Sequence, residues 1–302
     1  MVNKPLGYHD GITLALHPGT LGWRVPTLQL PSLAAQAGFS AITLGRLPDN
    51  PRALDEILNA ITKSTVQLTA VSFPVEIRES EEAFLASVPS LDAKASFVRQ
   101  AGCRIVTLGI PASSELPFAG QRQRLLDRFR QCLDSLLQHD LRIALECVTV
   151  LHLRRMHPYP FLWRFEEMLD FAELLGPAAG LLVDSWHWHH AGALDLELPS
   201  GSLLHVHLAD APDLPPEEIR DGERLLPGQG CIDFQRFFQQ LSRMNFRGDF
   251  AVEVFSSALQ QESVEEVAAR AFSSSRGLLA RYWTTTSKKD TSPASAGSEL
   301  AL

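Results

Sequence analysis

The sequence predicts a single-domain α/β protein with the (β/α)8 barrel fold, and three observations support this fold class. Eight short apolar runs alternate along the chain with segments whose hydrophobic residues recur at the helical period. The runs are nearly continuously apolar, as expected of parallel strands that are buried on both faces. A barrel of eight such units needs about 250 residues, and the chain has 302. A doubly wound open sheet is the structural alternative that the same pattern allows.

Each element of this barrel can be placed on the sequence. The predicted strands are, in chain order, ITLAL near residue 12, AITL near 41, LTAVSF near 68, RIVTLGI near 104, RIALE near 142, GLLVD near 180, LLHVHLAD near 203 and FAVEVF near 250. The helical period is clearest in the segments 161–176 and 233–246. Three predicted helices close on a glycine, in AGF (37–39), AGC (101–103) and LGP (175–177). Glycine readily adopts the left-handed conformation that ends a helix.

The composition limits the classes of partner. The formal net charge is -8 and there is no block of Lys or Arg, so we expect no nucleic-acid partner. The four cysteines show no CxxC spacing, which favours a reducing compartment. The first residues, MVNKPLGYHDG, lack the apolar run of a signal peptide, and no stretch approaches the roughly 20 apolar residues of a membrane span. We therefore expect a cytoplasmic protein that acts on a small molecule. A homo-oligomer is compatible with such a barrel, but the sequence indicates no interface.

The composition changes after Trp283. The residues that follow, TTTSKKDTSPASAGSELAL, are rich in Ser, Thr and Ala and hold too little apolar surface to offset the entropy cost of ordering. The sequence thus predicts one barrel domain over residues 1–283 and a disordered tail over 284–302.

Ionisable residues collect at the ends of the last four predicted strands, where barrel enzymes carry their functional groups. These residues are Glu146, Asp184, His205, His207, Asp210 and Glu253. Each has an ordinary interpretation, such as a solvated carboxylate, a hydrogen-bonded core histidine or, for Asp184, a helix N-cap. Burying several unpaired carboxylates together would cost several kcal/mol for each ion, so a compensating cation is expected. Carboxylate and imidazole groups at one barrel mouth predict a site for a divalent metal ion.

Strand geometry helps to choose among the histidines. His205 and His207 share one face of their strand, and His207, which lies nearer the carboxyl end, is the predicted metal ligand. His187 comes three residues after Asp184, where it can face the pocket without binding the metal. The other aromatic residues of the stretch GLLVDSWHWHHAG receive no chemical role, and Trp186 and Trp188 are predicted to pack or to form the pocket wall. His189 and His190 also stay without an assigned function.

Three further segments are candidates for the mouth of the barrel. In ERLLPGQGCIDF (223–234), Asp233 is a predicted helix N-cap, and Arg224 is either a surface arginine or a cation aimed at a substrate oxygen. The basic loop 149–160 can cover the mouth, hold an anionic substrate group or be a solvated surface. His17, after the first strand, can line the mouth or pack in the core.

Five segments together resemble a known family. IALE, LLVDSWHWH, HVHLADAPD, RLLPGQGCIDF and AVEVF, in this order and spacing, resemble the xylose-isomerase-like superfamily of sugar phosphate isomerases and epimerases. Within it they are most similar to the inosose isomerases of myo-inositol catabolism. The resemblance covers residues 140–283, and before that only the alternation of strands and helices matches. Two segments depart from the family's pattern. Members often carry a glutamate at the end of strand two, where this chain has AITLGR with Thr43 and Gly45, and epimerases of free ketoses usually carry an arginine where this chain has Asp213.

The resemblance implies a TIM barrel that holds one divalent ion, Mn, Mg, Zn or Co. It implies that the metal ligands are Glu146, Asp184, His207 and Glu253, and that His187 and Arg224 contact the substrate. It further implies that the two glutamates flank the sugar carbon that loses and regains a proton, and that they are the catalytic residues.

The expected function is a metal-dependent sugar isomerase or epimerase that acts on a sugar, a cyclic ketose or an inosose. It would abstract a proton α to a carbonyl and pass through an enediolate. A dehydratase could use almost the same site on an inosose-like or hydroxy-ketone substrate. A three-zinc endonuclease of the same superfamily is a weaker alternative, because strands two and three end in TLGR and SFPV without a histidine. A non-catalytic binding barrel is the remaining alternative.

Overall fold

A computed structural model describes residues 12–193 and 195–283 of the chain. The predicted tail, residues 284–302, lies outside the described residues. Within the part that is described, no helix is both long and apolar enough to cross a membrane.

Eight parallel strands follow one another around a closed barrel, and the last strand pairs with the first. They are numbered here β1 to β8 and span Leu14–Leu16, Ala41–Leu44, Gln67–Ser72, Ile105–Ile110, Arg142–Cys147, Ala179–Asp184, Leu203–Leu208 and Phe250–Val252. Each predicted strand is present, so the predicted (β/α)8 barrel is confirmed. The doubly wound alternative is wrong, because that sheet would leave two open edges.

Helices flank the strands. The α-helices, numbered α1 to α10, span Leu30–Ala37, Pro51–Lys63, Glu81–Ser87, Leu91–Gln100, Phe118–Gln138, Leu151–Arg154, Phe165–Glu173, Ser185–His190, Phe234–Arg243 and Val264–Tyr282. Short 3-10 helices span Pro18–Leu21, Val88–Ser90 and Leu259–Gln261. The periodic segments 161–176 and 233–246 contain α7 and α9, each shorter than its hydrophobic pattern. Outside the barrel, Ser113–Ser114 pairs antiparallel with Tyr159–Pro160.

The glycines predicted to close helices do so. Gly38, Gly102 and Gly176 have φ angles of 100°, 81° and 83°, which side chains with a Cβ rarely adopt. The Gly38 amide donates to carbonyl oxygens of the last turn of α1. These caps turn the chain back toward the next strand.

The pleat of the strands decides which side chains enter the barrel. On β5, β6 and β8 the residues of one parity, such as Leu145, Val183 and Val252, join the large core between strands and helices. The other parity faces inward, where Ala15, Ala41 and Ala251 form a small separate cluster. Successive side chains of a strand alternate between the two faces. The last inward-facing residues of β5, β6 and β7 are therefore Glu146, Asp184 and His207, and the inward-facing residue directly after β8 is Glu253.

Candidate metal centre

Four consecutive strands each direct one metal-binding side chain to the carboxyl end of the barrel. One donor atom from each of Glu146, Asp184, His207 and Glu253 lies within 4.8 Å of the corresponding atoms of the other three. All four side chains are almost excluded from solvent, since their exposed fractions do not exceed 13%. The structure thus brings together the four residues that the sequence predicts as metal ligands.

Two donor atoms in this cluster lack a hydrogen bond. His207 Nδ1 and Glu146 Oε1 are buried, 3.8 Å apart, and neither has a hydrogen-bond partner within the described residues. His207 Nδ1 is also 3.2 Å from Glu253 Oε2, but the geometry of this contact is not that of a hydrogen bond. A buried polar atom left unsatisfied costs about 1–3 kcal/mol. A divalent ion would satisfy both atoms, and three carboxylates with one imidazole form a donor set that such ions accept.

The crowded charges shift the proton affinities of the cluster. Burial and the charge of Glu253 raise the pKa of Glu146 to about 8. Burial opposes the charge of His207, but the surrounding carboxylates outweigh it and raise its pKa to about 9. Burial acts to raise the pKa of Glu253, but the nearby His207, His17 and Arg224 outweigh burial and hold this pKa well below its usual range. Without a metal ion, Glu146 and His207 therefore carry protons at neutral pH that ion binding must displace.

Asp184 performs two tasks at once. Its Oδ1 accepts a hydrogen bond of 2.8 Å from the Trp186 amide and so caps α8. Its Oδ2 accepts from Arg224 Nη1, also at 2.8 Å. Burial raises the pKa of Asp184, and the positive charge of Arg224 opposes that rise. Asp184 is therefore both the helix N-cap of its ordinary interpretation and a member of the charged cluster.

Arg224 lies inside the barrel mouth rather than on the surface. Its Nη1 is 3.3 Å from Glu253 Oε2, and its Nη2 donates to Asp221 Oδ1 at 2.7 Å. The guanidinium carbon lies 4.6 Å from the centre of the Phe255 ring. Of the two interpretations left open by the sequence, a surface arginine is excluded. Arg224 lines the same cavity as Glu146, His207 and Glu253.

The PGQG turn holds Arg224 in place through one aspartate. Asp210 Oδ2 accepts from the amides of Gly228 and Gly230 at 2.9 and 2.8 Å, and the Asp210 amide donates to the Leu225 carbonyl. A Cβ on Gly230 would lie 2.1 Å from the Ala211 carbonyl oxygen, so only glycine fits there. Asp210 therefore ties the strand that carries His207 to the loop that carries Arg224.

His187 lines the cavity, as predicted. Its Nδ1 accepts a hydrogen bond from the Thr149 amide at 3.3 Å, so the neutral ring carries its proton on Nε2. Burial lowers the pKa of His187 well below its usual value, which keeps the ring neutral. His187 is outside the group of four clustered donors.

The cavity has a volume of about 560 Å³ and opens at the carboxyl end of the strands. Part of its wall comes from the first half of the chain, where the sequence offered few candidates. These lining residues include His17, Trp23, Arg46, Glu76 and Arg78. Arg46 Nε is paired with Glu76 Oε1 at 3.0 Å. Only the closure of the barrel shows that these positions face the predicted metal ligands.

The remaining candidates of the sequence lie outside the cluster. Trp186 and Trp188 are fully buried packing residues, and Trp188 Nε1 donates to Gln240. His205 is buried beside His207, with ring centroids 5.2 Å apart. His189 Nε2 is 3.7 Å from Cys231 Sγ, and His190 packs edge-on against Trp186.

The basic loop 149–160 is partly helical. It contains α6, and the guanidinium of Arg154 stacks on Trp163 at 4.3 Å instead of entering the cavity. Leu153, Met156 and His157 are the residues through which the loop lines the cavity. The loop therefore covers one side of the mouth with apolar groups and one imidazole. Asp233 caps α9 through the Arg236 amide, as predicted.

Comparison with known proteins identifies related chains. The family model of xylose isomerase-like TIM barrels matches residues 31–275. An inosose isomerase of Bacillus velezensis is 26% identical over 193 residues, which are 60% of this chain and 66% of that protein. Matches to curated inosose isomerases span between 38% and 66% of those proteins' own length.

Solved structures share the fold. A xylose isomerase domain protein from Alicyclobacillus acidocaldarius superposes with a TM-score of 0.79 at 27% identity, over 90% of this chain and all of that one. The IolI protein, whose crystal structure holds a zinc atom, superposes with a TM-score of 0.72 at 19% identity, over 90% of this chain and 99% of that one.

Proposed function

Because the chain belongs to the family of xylose isomerase-like TIM barrels, we propose that it is a divalent-metal-dependent sugar isomerase or epimerase. The substrate class is a hydroxy-ketone sugar or cyclic ketose such as an inosose, which the similarity to inosose isomerases supports. The observation that carries the proposal is the convergence of two glutamates, an aspartate and a histidine beside one cavity, with two buried donor atoms left unsatisfied.

Glu146, Asp184, His207 and Glu253 would hold the ion. It would supply positive charge beside the substrate carbonyl, where negative charge develops when a proton leaves the neighbouring carbon. The zinc atom of the IolI structure makes Zn²⁺ one ion to test, together with Mn²⁺, Mg²⁺ and Co²⁺.

The two glutamates are the proposed acid and base. Glu146 is the penultimate residue of β5 and Glu253 directly follows β8, so they lie three strands apart in the ring, with Asp184 and His207 between them. A substrate carbon in the cavity between them can lose its proton to one carboxylate and regain it from the other. Return of the proton to the opposite face of the same carbon gives an epimer, and return to the neighbouring carbon gives the isomer.

His187 and Arg224 are the proposed substrate contacts. The Nε2 proton of His187, fixed by the Thr149 hydrogen bond to Nδ1, is available to a substrate oxygen. Arg224 donates hydrogen bonds from Nη2 to Asp221 and from Nη1 to Asp184. These bonds fix its positive charge at the cavity wall.

The experiment that tests this function is a proton-exchange screen in deuterated solvent. Inososes, ketohexoses and hydroxypyruvate are incubated with the protein loaded with each ion, and exchange of the α-proton is followed by NMR. We expect exchange that requires the ion and disappears with a chelator. Product analysis then separates isomerisation, epimerisation and loss of water. Absence of exchange on every compound with a fully loaded protein would contradict the proposal.

A further inference from the structure

We propose that His17 is a positioning residue that fixes the rotation of the Glu253 carboxylate, so that one defined oxygen faces the metal centre. The inference rests on the proposed function in that Glu253 is taken as a metal ligand. His17 directly follows β1, the strand that closes the barrel against β8. Its amide donates to the Val252 carbonyl at 3.1 Å, which places its side chain beside the Glu253 side chain.

The two ring nitrogens of His17 have different partners. Nδ1 accepts a hydrogen bond of 3.1 Å from the Gly19 amide. An accepting Nδ1 carries no proton, so the ring proton is on Nε2. Nε2 lies 3.2 Å from Glu253 Oε1, at the distance of a hydrogen bond to a carboxylate. The backbone of the Pro18–Leu21 turn therefore selects the tautomer whose ring proton lies beside Glu253.

The two carboxylate oxygens of Glu253 have different neighbours. Oε1 faces His17, while Oε2 lies 3.2 Å from His207 Nδ1 and 3.3 Å from Arg224 Nη1. Oε2 is therefore the oxygen that lies beside His207, another predicted metal ligand. Without His17 the carboxylate could turn about its last bond and present either oxygen or both.

The ring of His17 is itself held in place. Trp23 and Phe255 pack edge-on against it, with centroid distances of 5.4 and 6.4 Å. A Cβ at Gly19 would lie 2.5 Å from Phe255 Cε1 and 2.9 Å from His17 Nδ1, so the turn admits the ring only because residue 19 is glycine. The packing against Trp23 and Phe255 and the hydrogen bond from the Gly19 amide both restrict the imidazole to one orientation.

Two substitutions separate this role from simple packing. In His17→Asn, the side-chain oxygen can replace Nδ1 as the acceptor for Gly19, but no donor reaches Glu253. In His17→Gln, the longer side chain places an amide nitrogen near the former Nε2 and loses the acceptor for Gly19. His17→Asn thus keeps the acceptor for the Gly19 amide and removes the contact with Glu253. His17→Gln keeps the contact with Glu253 and removes the acceptor.

The test measures metal affinity and thermal stability on the full chain. Titration calorimetry with Mn²⁺ and Zn²⁺ gives the dissociation constants, and thermal unfolding of the metal-free proteins gives Tm. Removing a hydrogen-bond partner of a metal ligand weakens binding or activity by about 10- to 100-fold. We expect a weakening of this size for His17→Asn with an unchanged metal-free Tm, and near wild-type affinity for His17→Gln with a lowered Tm.

Other patterns would overturn the inference. Wild-type affinity in His17→Asn, or an equal loss of affinity in both variants, would assign His17 to packing alone. The outcome is independent of turnover, because no substrate is present. A wild-type protein that binds the ion but exchanges no proton would contradict the proposed function and leave the role of His17 standing.

Discussion

Arg224 and Asp184 form an ion pair inside the mouth of the barrel, with Nη1 2.8 Å from Oδ2 and both side chains almost inaccessible to solvent. The same Nη1 is 3.3 Å from Glu253. The chain thus supplies a cation of its own to two of the carboxylates that are proposed to bind a metal ion. This arrangement has consequences for stability that can be measured separately from activity.

Arg224→Leu should destabilise the metal-free protein, because it leaves buried carboxylates without their counter-charge. Loss of one partner of a buried pair typically costs about 3–5 kcal/mol of unfolding free energy. Urea unfolding with and without Mn²⁺ measures the effect, and the ion should restore part of the loss. Arg243→Leu, at an exposed site on α9, is the matched control and should change stability by less than about 0.5 kcal/mol. Equal effects of the two substitutions would contradict the structural role of Arg224.

Glu146→Ala should abolish stoichiometric metal binding, because it removes one of the four clustered donors. Elemental analysis after gel filtration measures the ion content. Glu173→Ala, an exposed carboxylate at the end of α7, should retain one ion per chain. A Glu146→Ala protein that keeps a full complement of metal would remove Glu146 from the ligand set.

Metal affinity should rise with pH. Glu146, with its pKa raised to about 8, and His207, with its pKa raised to about 9, hold protons below these values. Both donors must be deprotonated to bind an ion. Below the pKa of each donor, metal affinity should therefore rise about tenfold per pH unit for each proton that the ion displaces. Calorimetry in buffers of different ionisation enthalpy counts the released protons. An affinity that stays constant from pH 6 to pH 9 would show that these donors are not used.

Gly230→Ala should disrupt the turn that Asp210 organises. The added Cβ would meet the Ala211 carbonyl oxygen at 2.1 Å, so the backbone must move and the hydrogen bonds to Asp210 weaken. We expect a lowered Tm, together with weaker substrate binding through displacement of Arg224. Gly120→Ala on α5, where the nearest atom is 4.0 Å away, should raise Tm or leave it unchanged. An unaltered Gly230→Ala protein would show that the turn is more adaptable than its contacts suggest.

The second half of the site could be predicted because its residues obey two local rules. Strands end where the apolar runs end, and alternation along a strand decides which residues face inward. Glu146, Asp184, His207 and Glu253 each occupy the last inward position of such a run. The tight turn at 227–230 and the cap at Asp233 are likewise local features of the chain.

The rest of the site depends on contacts between segments that are far apart in the sequence. His17 meets Glu253 only because β1 and β8 close the barrel, and Thr149, in the loop after β5, meets His187 on α8. Arg224 is the clearest case, because nothing local distinguishes a buried arginine from a surface one. Its burial follows from the carboxylates that surround it in the closed barrel.

The proposed mechanism has Glu253 exchange a proton with a substrate carbon beside a bound ion. It is tested most directly by comparing deuterium exchange at the α-carbon of an inosose in the wild type and in Glu253→Gln, at matched metal content. The mechanism predicts ion-dependent exchange in the wild type and its loss in a folded Glu253→Gln protein. Exchange at the wild-type rate in a metal-loaded Glu253→Gln protein would contradict it.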